Sequence, residues 1–165
     1  MADEKEKNQI FKYADEYREY FKEDEDALQG VVDRLTKLQT ISDTQITQIE
    51  QYTLSGSAAS RGTQHYLIEH ITNAIQIQSQ MQSVLKDKRS IKESALTLAL
   101  KKAGGEENTD DAKAILASLT TVISDMKKRN QTAVSKLEES VTAPTITPEE
   151  NDQLDEEIKR KLGKN

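Results

Sequence analysis

The fold is decided by residues 90–141, which have the sequence SIKESALTLALKKAGGEENTDDAKAILASLTTVISDMKKRNQTAVSKLEESV. Apolar residues recur there at steps of three and four, which places them on one face of each of two helices. Gly104 and Gly105 interrupt the pattern, because glycine can take the left-handed conformation that ends a helix. Thr109 or Asp110 can then accept hydrogen bonds from the free amides of the next helix. The sequence therefore predicts a central helical hairpin.

The composition predicts the fold class. The chain has 165 residues, of which 35% are hydrophobic, 32% charged and 4% aromatic, and it has no Trp and no Cys. A compact globule of this length would hold more large apolar residues. We therefore expect an all-α protein of elongated helical hairpins in a coiled-coil-like bundle, whose narrow apolar stripes are covered by another copy. The lack of Cys excludes disulfides and thiolate metal sites.

Charge and hydropathy narrow the location and the partners. The net charge of −6 argues against a protein that coats nucleic acid over its whole surface, although it leaves room for a local basic patch. The N-terminus lacks the apolar core of a signal peptide, and no apolar run approaches the roughly 20 residues of a membrane span. We expect a cytoplasmic protein, in the host cytoplasm if viral, with no membrane contact.

Residues 1–26 form an acidic arm with an aromatic stripe. The arm has ten acidic and five basic residues, and Tyr13, Tyr17 and Tyr20 recur at helical spacing. The stripe packs either on the protein's own core or on a neighbouring subunit or partner, since tyrosine is a favoured interface anchor.

The helical core is predicted over residues 27–141. A first stripe covers 27–39, and Ser42 with Asp43 forms a plausible N-cap for a second helix over 44–54. Two short helices around a polar turn are typical of a helix-turn-helix DNA-binding motif. Because the second helix has no Lys or Arg, a structural helix is the favoured interpretation.

A long helix is predicted over residues 63–89. Its apolar seam is expected at near-heptad positions, diluted by glutamines: Leu67, Ile71, Ala74, Gln78, Met81 and Leu85, with Ile68, Ile75, Ile77 and Val84 widening it. His65 and His70 are spaced five apart, so they do not share a helical face as a metal pair would. We expect both to lie on the surface, and we predict no metal site.

Basic residues cluster at both ends of the hairpin's first helix. Ser90 and Glu93 fit a capping box at its start. The cations near its end either complement the helix dipole or, arrayed around an oligomer, contact DNA phosphates. The candidate DNA-binding residues are Lys86, Lys88, Arg89, Lys92, Lys101 and Lys102.

The apolar face of the hairpin is the expected interface between copies. Its residues are Ile91, Ala95, Leu98, Leu119, Ile123, Met126, Asn130 and Leu137. Asn130 falls at a core-facing position, where a buried Asn fixes register and oligomeric state; alternatively, the helix is locally wet there.

The C-terminal part is predicted as a linker and a docking helix. The linker covers residues 142–147, and a helix over 148–165 starts with a hydroxyl cap, a proline and acidic residues. Its stripe is one residue wide, which is too narrow to hold a helix alone, so we expect it to dock on a partner through Leu154, Ile158 and Leu162.

The hairpin resembles the central hairpin of small terminase subunits from T-even-like tailed phages. The resemblance lies in the Ala95-Leu96-x-Leu98-Ala99 helix, the short polar turn and a second helix with Ala112, Leu116, Leu119, Val122, Asn130 and Leu137. It implies a ring-forming, non-catalytic DNA-packaging subunit that recognises viral double-stranded DNA and regulates a large terminase. The turn departs from the pattern, since Gly104-Gly105-Glu106-Glu107 stands where Pro-Arg is expected.

The sequence thus favours a non-catalytic phage DNA-packaging or virion-assembly subunit. No nucleophile elbow, ligand cluster or cofactor motif is present, so we predict no catalytic residue and no cofactor. The alternatives are a protein-interaction adaptor or structural virion component with no DNA role and, more weakly, a helix-turn-helix regulator over residues 28–54.

Overall fold

The computed structural model describes residues 2–54, 61–105 and 110–143, together with Gln153, Glu156, Glu157 and Arg160. The helices are α1 (Ala2–Tyr20), α2 (Lys22–Leu54), α3 (Arg61–Ala103) and α4 (Asp110–Thr142). No strand occurs within these described ranges. The prediction of an all-α helical bundle is therefore confirmed, whereas oligomerisation stays a prediction.

Helix α2 is continuous, so the predicted cap at Ser42 and Asp43 is wrong, and with it the weaker alternative of a helix-turn-helix over residues 28–54. The polar residues around the predicted cap form hydrogen bonds within α2 or to another helix. Gln39 donates to the Asp43 carboxylate at 2.8 Å, and Thr44 and Thr47 donate their hydroxyls to carbonyls four residues back. Ser42 is fully buried and donates to the carbonyl oxygen of His70 at 3.2 Å. Hydroxyls bonded in this way leave the helix unbroken.

Helix α3 is also continuous, through the position where the hairpin was expected to begin. Ser90 lies half-buried in its interior, so the predicted capping box at Ser90 and Glu93 is wrong. The first arm of the hairpin therefore begins at Arg61. No glycine or proline interrupts the chain between Thr63 and Ala103, so no local signal ends the helix earlier.

Helix α3 ends at Ala103, directly before the glycine pair that predicted its end. The Gly104 amide donates to the Leu100 carbonyl at 3.0 Å, and the Gly105 amide donates to the Lys102 carbonyl at 3.1 Å. Gly105 has a φ of 81°, a conformation that side-chain-bearing residues rarely adopt. Helix α4 begins at Asp110, with Asp111 beside it at the positive end of the helix dipole.

The chain forms two compact units, and each is described here by itself. Unit 1 contains Met1–Arg34 and Gln80–Val134. Its buried apolar side chains come from the α1–α2 junction and from α2, α3 and α4: Phe21, Leu28, Val31, Val84, Ile91, Ala95, Leu98, Ala99, Ala112, Ile123 and Val134. Residues on α2 and α3 recur every three and four positions, as in the core of a helical bundle.

Unit 2 contains Leu35–Ser79 and Ser135–Asn165. Its apolar core is smaller and comes from α2, α3 and α4: Leu35, Leu38, Ile49, Ile77, Leu137 and Val141. Three polar side chains are buried with them, namely Ser42, His70 and Asn73. Asn73 accepts a hydrogen bond from the Ser140 hydroxyl at 3.1 Å, and Gln45 donates to the Val141 carbonyl at 3.5 Å.

The heptad period of α3 was predicted correctly, and Ile77 and Val84, expected to widen the seam, are buried, but the register of the central positions was wrong. The buried positions in unit 2 are 70, 73 and 77, and in unit 1 they continue at 84, 87 and 91. The predicted seam lies on another face: Ile71 and Leu85 are 42% and 51% exposed, Gln78 is exposed, and Leu67, Ala74 and Met81 are only half-buried. Asn73 and Asp87 can occupy core positions because α4 supplies their hydrogen-bond partners, Ser140 and Asn130.

Candidate interaction surfaces

The aromatic arm packs partly against α3 within unit 1. Tyr13 and Tyr17 are half-buried, whereas Tyr20 is 59% exposed. The Lys102 ammonium lies 4.6 Å from the centre of the Tyr13 ring and forms an ion pair with Glu16 at 3.0 Å. A cation over an aromatic face is attracted by the ring quadrupole. Of the three predicted docking tyrosines, Tyr20 is therefore the one whose ring is mostly open to solvent.

The candidate DNA-binding cations divide into two groups. Lys102 and Lys88 are used within unit 1, since Lys102 pairs with Glu16 and Lys88 donates to the Gln29 side chain. Lys101 is half-buried and also has an interaction within the chain. The exposed group consists of Lys86, Arg89 and Lys92. None of these three forms an ion pair with another described residue.

The residues predicted to join copies are mostly buried within the single chain. Ile91, Ala95, Leu98, Ile123, Asn130 and Leu137 are all buried, and Leu119 and Met126 are half-buried. The low fraction of large apolar residues predicts stripes too narrow for a self-contained core, and therefore an interface between copies on this face. The structure instead uses the face as intramolecular core, so the buried members are not available to a second molecule.

Asn130 is the centre of a hydrogen-bonded polar cluster in unit 1. Its side-chain amide donates to Asp87 Oδ2 at 2.7 Å and to the Met126 carbonyl at 2.9 Å. Its Oδ1 accepts from Gln80 at 2.7 Å, and Arg129 pairs with the same Asp87 oxygen at 2.8 Å. Asn130 has no exposed surface, so the residue is buried and the helix is not locally wet there. Its role in fixing register stays a prediction.

His70 was expected on the surface, and this prediction is wrong: only 4% of the residue is exposed. Its ring stacks on Tyr66 with centres 6.4 Å apart, and its Nδ1 atom has no hydrogen-bond partner among the described residues. Burial lowers the pKa of His70 below its ordinary value of 6.5, and the negative charge of Glu69 opposes this shift. His65 is exposed. No group of three or more metal-ligating side chains occurs in the described part of the chain.

The outer face of α3 in unit 2 carries apolar residues that sequence reasoning assigned elsewhere. Ile68, Ile71 and Ile75 are 63%, 42% and 61% exposed. Their spacing of three and four residues places them on one side of the helix. In unit 2, helix α3 therefore has a buried side of mixed character, formed by His70, Asn73 and Ile77, and an apolar side open to solvent. We name Ile68, Ile71 and Ile75 the isoleucine stripe.

Comparisons with known proteins supply no relative: no protein-family model, no curated protein and no solved structure matches the chain. None of the described helices combines the length and apolarity needed to cross a membrane.

The predicted docking residues Leu154, Ile158 and Leu162, and the linker from Pro144 onward, lie outside the described residues. The predicted linker was to start at Thr142, which is instead the last residue of α4.

Proposed function

We propose that this protein is a non-catalytic assembly subunit that oligomerises and acts by binding other protein chains. The observation that carries the proposal is the isoleucine stripe. Large apolar side chains grouped on one helix face are typical of protein–protein contact sites, whereas single exposed apolar residues need no explanation. The stripe is exposed while Ser42, His70 and Asn73 are buried in the same unit. Leaving isoleucine in water while burying polar groups is unfavourable, and a second chain that covers the stripe would offset this cost.

The particular role we propose is that of a phage virion-assembly or DNA-packaging component located in the cytoplasm. The resemblance of the hairpin to small terminase subunits supports this role, and a large terminase or another virion-assembly protein would then be its partner. The exposed Tyr20 and the predicted C-terminal docking helix are the elements we assign to that second partner.

Light scattering on a sizing column, with the full chain over a range of concentrations, tests the proposal. We expect a mass above that of the 18.6 kDa monomer that increases with concentration. A ring-sized multimer would support the DNA-packaging role, and a dimer would support the adaptor or structural role. A monomer at every concentration would overturn the proposal that the protein is an oligomeric assembly subunit.

Contact with double-stranded DNA is a second candidate function, favoured by one observation. Lys86, Arg89 and Lys92 are exposed on α3 and form no ion pair with described residues, in a chain whose net charge is −6. Three cations can neutralise three phosphates. The affinity for DNA would then fall with salt with a logarithmic slope of about −2.7.

Filter binding of duplex DNA with a salt titration tests this second function. We expect that changing Lys86, Arg89 and Lys92 together to Gln removes the binding. A control variant changes Lys127 and Lys128 to Gln, which removes two cations on α4, and Lys127 is already paired with Asp24 at 2.7 Å. If the wild-type chain binds no DNA at low salt, the DNA role is wrong and the protein-binding role stands alone.

A further inference from the structure

The isoleucine stripe lies in an unusually neutral part of the chain. Between Gln64 and Ser79 the only Asp, Glu, Lys or Arg is Glu69, although 32% of the whole chain is charged. The exposed residues beside the stripe on the same side of the helix are Gln64, Thr72, Gln78 and Ser79. The face is therefore apolar in its centre and polar but uncharged at its edges. The groups at its border can form hydrogen bonds to water or to a partner, and they favour neither a positively nor a negatively charged partner.

The exposed leucines of α3 in unit 1 differ from the stripe in this respect. Leu85 and Leu96 are about half-exposed, but Lys86, Arg89, Lys92 and Glu93 lie among them. A neighbouring chain at that position would meet several charges, and its own charges would have to match them. At the isoleucine stripe no such matching is required.

From this neutrality we infer that the isoleucine stripe binds the same stripe of a second copy of this chain. The inference rests on the proposed assembly function and names the surface through which copies meet. An anionic partner would need cations and a basic partner would need several acids, and the stripe offers neither set. Two copies of a protein with a net charge of −6 repel one another over most of their surfaces. The neutral stripe is a place where they can approach without that repulsion.

The stripe is also self-complementary in shape. Residues three and four apart form ridges on a helix, and the ridges of one helix pack into the grooves of an identical helix. A contact in which the same patch faces itself is the twofold, isologous contact of most homodimers. The stripe lies away from the buried positions 70, 73 and 77, so a second copy can be added without rearranging the core.

The size of the stripe sets the expected strength of the contact. Stable protein interfaces bury about 800 Å² on each partner. Three partly exposed isoleucines provide less than that, so we expect dissociation constants in the micromolar range. The pair would therefore be seen at high protein concentration.

Sedimentation equilibrium on the full chain and its variants tests this inference. Ile71→Glu puts a negative charge in the centre of the stripe on both copies, and we expect the dimer dissociation constant to rise at least tenfold. Ile71→Leu keeps an apolar side chain and should leave the constant within about threefold of the wild-type value. Gln76→Glu is the matched control, because it adds the same charge at an exposed position of α3 outside the stripe. Circular dichroism checks that each variant retains its helices.

The outcomes separate this inference from the proposed function. Weaker association in Ile71→Glu and Ile75→Glu, but not in Gln76→Glu, would support the stripe as the interface. A wild-type oligomer that Ile71→Glu leaves intact, or that Gln76→Glu disrupts equally, would overturn the stripe while leaving the assembly function in place. A wild-type chain that is monomeric at every concentration would overturn both.

Discussion

The two units of the molecule bury polar groups in different ways. In unit 1 the carboxylate of Asp87 accepts from both Asn130 and Arg129, and Gln80 completes the cluster. In unit 2 the Nδ1 atom of the buried His70 ring has no hydrogen-bond partner among the described residues, and the Ser42 bond to the His70 carbonyl is long at 3.2 Å. Unpaired buried polar atoms cost more than paired ones contribute. The comparison indicates that the unit 1 cluster is a specific internal tie, whereas the polar core of unit 2 is less well satisfied.

A charge placed at the buried asparagine of each unit should give the largest effect and separate the units most clearly. Asn130→Asp replaces the amide that donates to Asp87 with a second carboxylate oxygen 2.7 Å away. Gln80 and Arg129 keep their bonds to the cluster, but neither lies between the two carboxylates as the lost amide did. We expect a loss of about 3 kcal/mol in the free energy of unfolding, as for a broken buried ion pair. Urea unfolding followed by circular dichroism measures the loss.

Asn73→Asp in unit 2 is the matched variant. Asn73 accepts from the Ser140 hydroxyl through its Oδ1 atom, and a carboxylate can still accept that hydrogen bond. We therefore expect a smaller loss of about 1.5 kcal/mol, which reflects the burial of the charge. Equal losses in Asn130→Asp and Asn73→Asp would contradict the difference that we draw between the two units.

Much of the helical framework could be predicted from sequence, because its signals are local. The glycine pair at 104–105 and the acidic start of α4 at Asp110 each act within one turn of helix, and both were placed correctly. The sevenfold period of α3 was also visible. A period alone, however, does not say which of two faces is buried when both carry apolar residues, as around Ile71 and Ile77.

The candidate site could not be predicted, because its position depends on contacts distant in sequence. His70 and Asn73 are buried because α2 and α4 supply neighbours at Ser42 and Ser140, 28 and 67 residues away along the chain. His70 was expected on the surface and Ile71 in the apolar seam, and the structure reverses both. The signal that could have exposed the error is the two-sided apolarity of α3, because a helix with two apolar faces needs more neighbours than one hairpin provides.

The buried imidazole of His70 should make the free energy of unfolding depend on pH. Because the pKa of His70 is lowered by burial, the unfolded chain takes up a proton below pH 6.5 where the folded chain does not. The free energy of unfolding therefore does not change through His70 above pH 6.5, and it decreases progressively as the pH falls below that value. His70→Leu should lose less stability than the wild type between pH 7.5 and pH 5.5 in urea unfolding. His65→Gln, at an exposed position, should behave as the wild type. If the free energy of unfolding falls with pH equally in His70→Leu and the wild type, His70 is not the group responsible.

Ser42→Ala should give the smallest effect, and it tests how little the polar core of unit 2 depends on its own hydrogen bonds. The variant removes the hydroxyl that donates to the His70 carbonyl, a neutral bond of a kind that contributes about 1 kcal/mol. Alanine in the middle of α2 recovers roughly half of that through its higher helix propensity. We expect a net loss of about 0.5 kcal/mol in urea unfolding. A loss above about 2 kcal/mol would mean that the bond holds α2 to α3 as firmly as the Asp87–Asn130 contact holds α3 to α4.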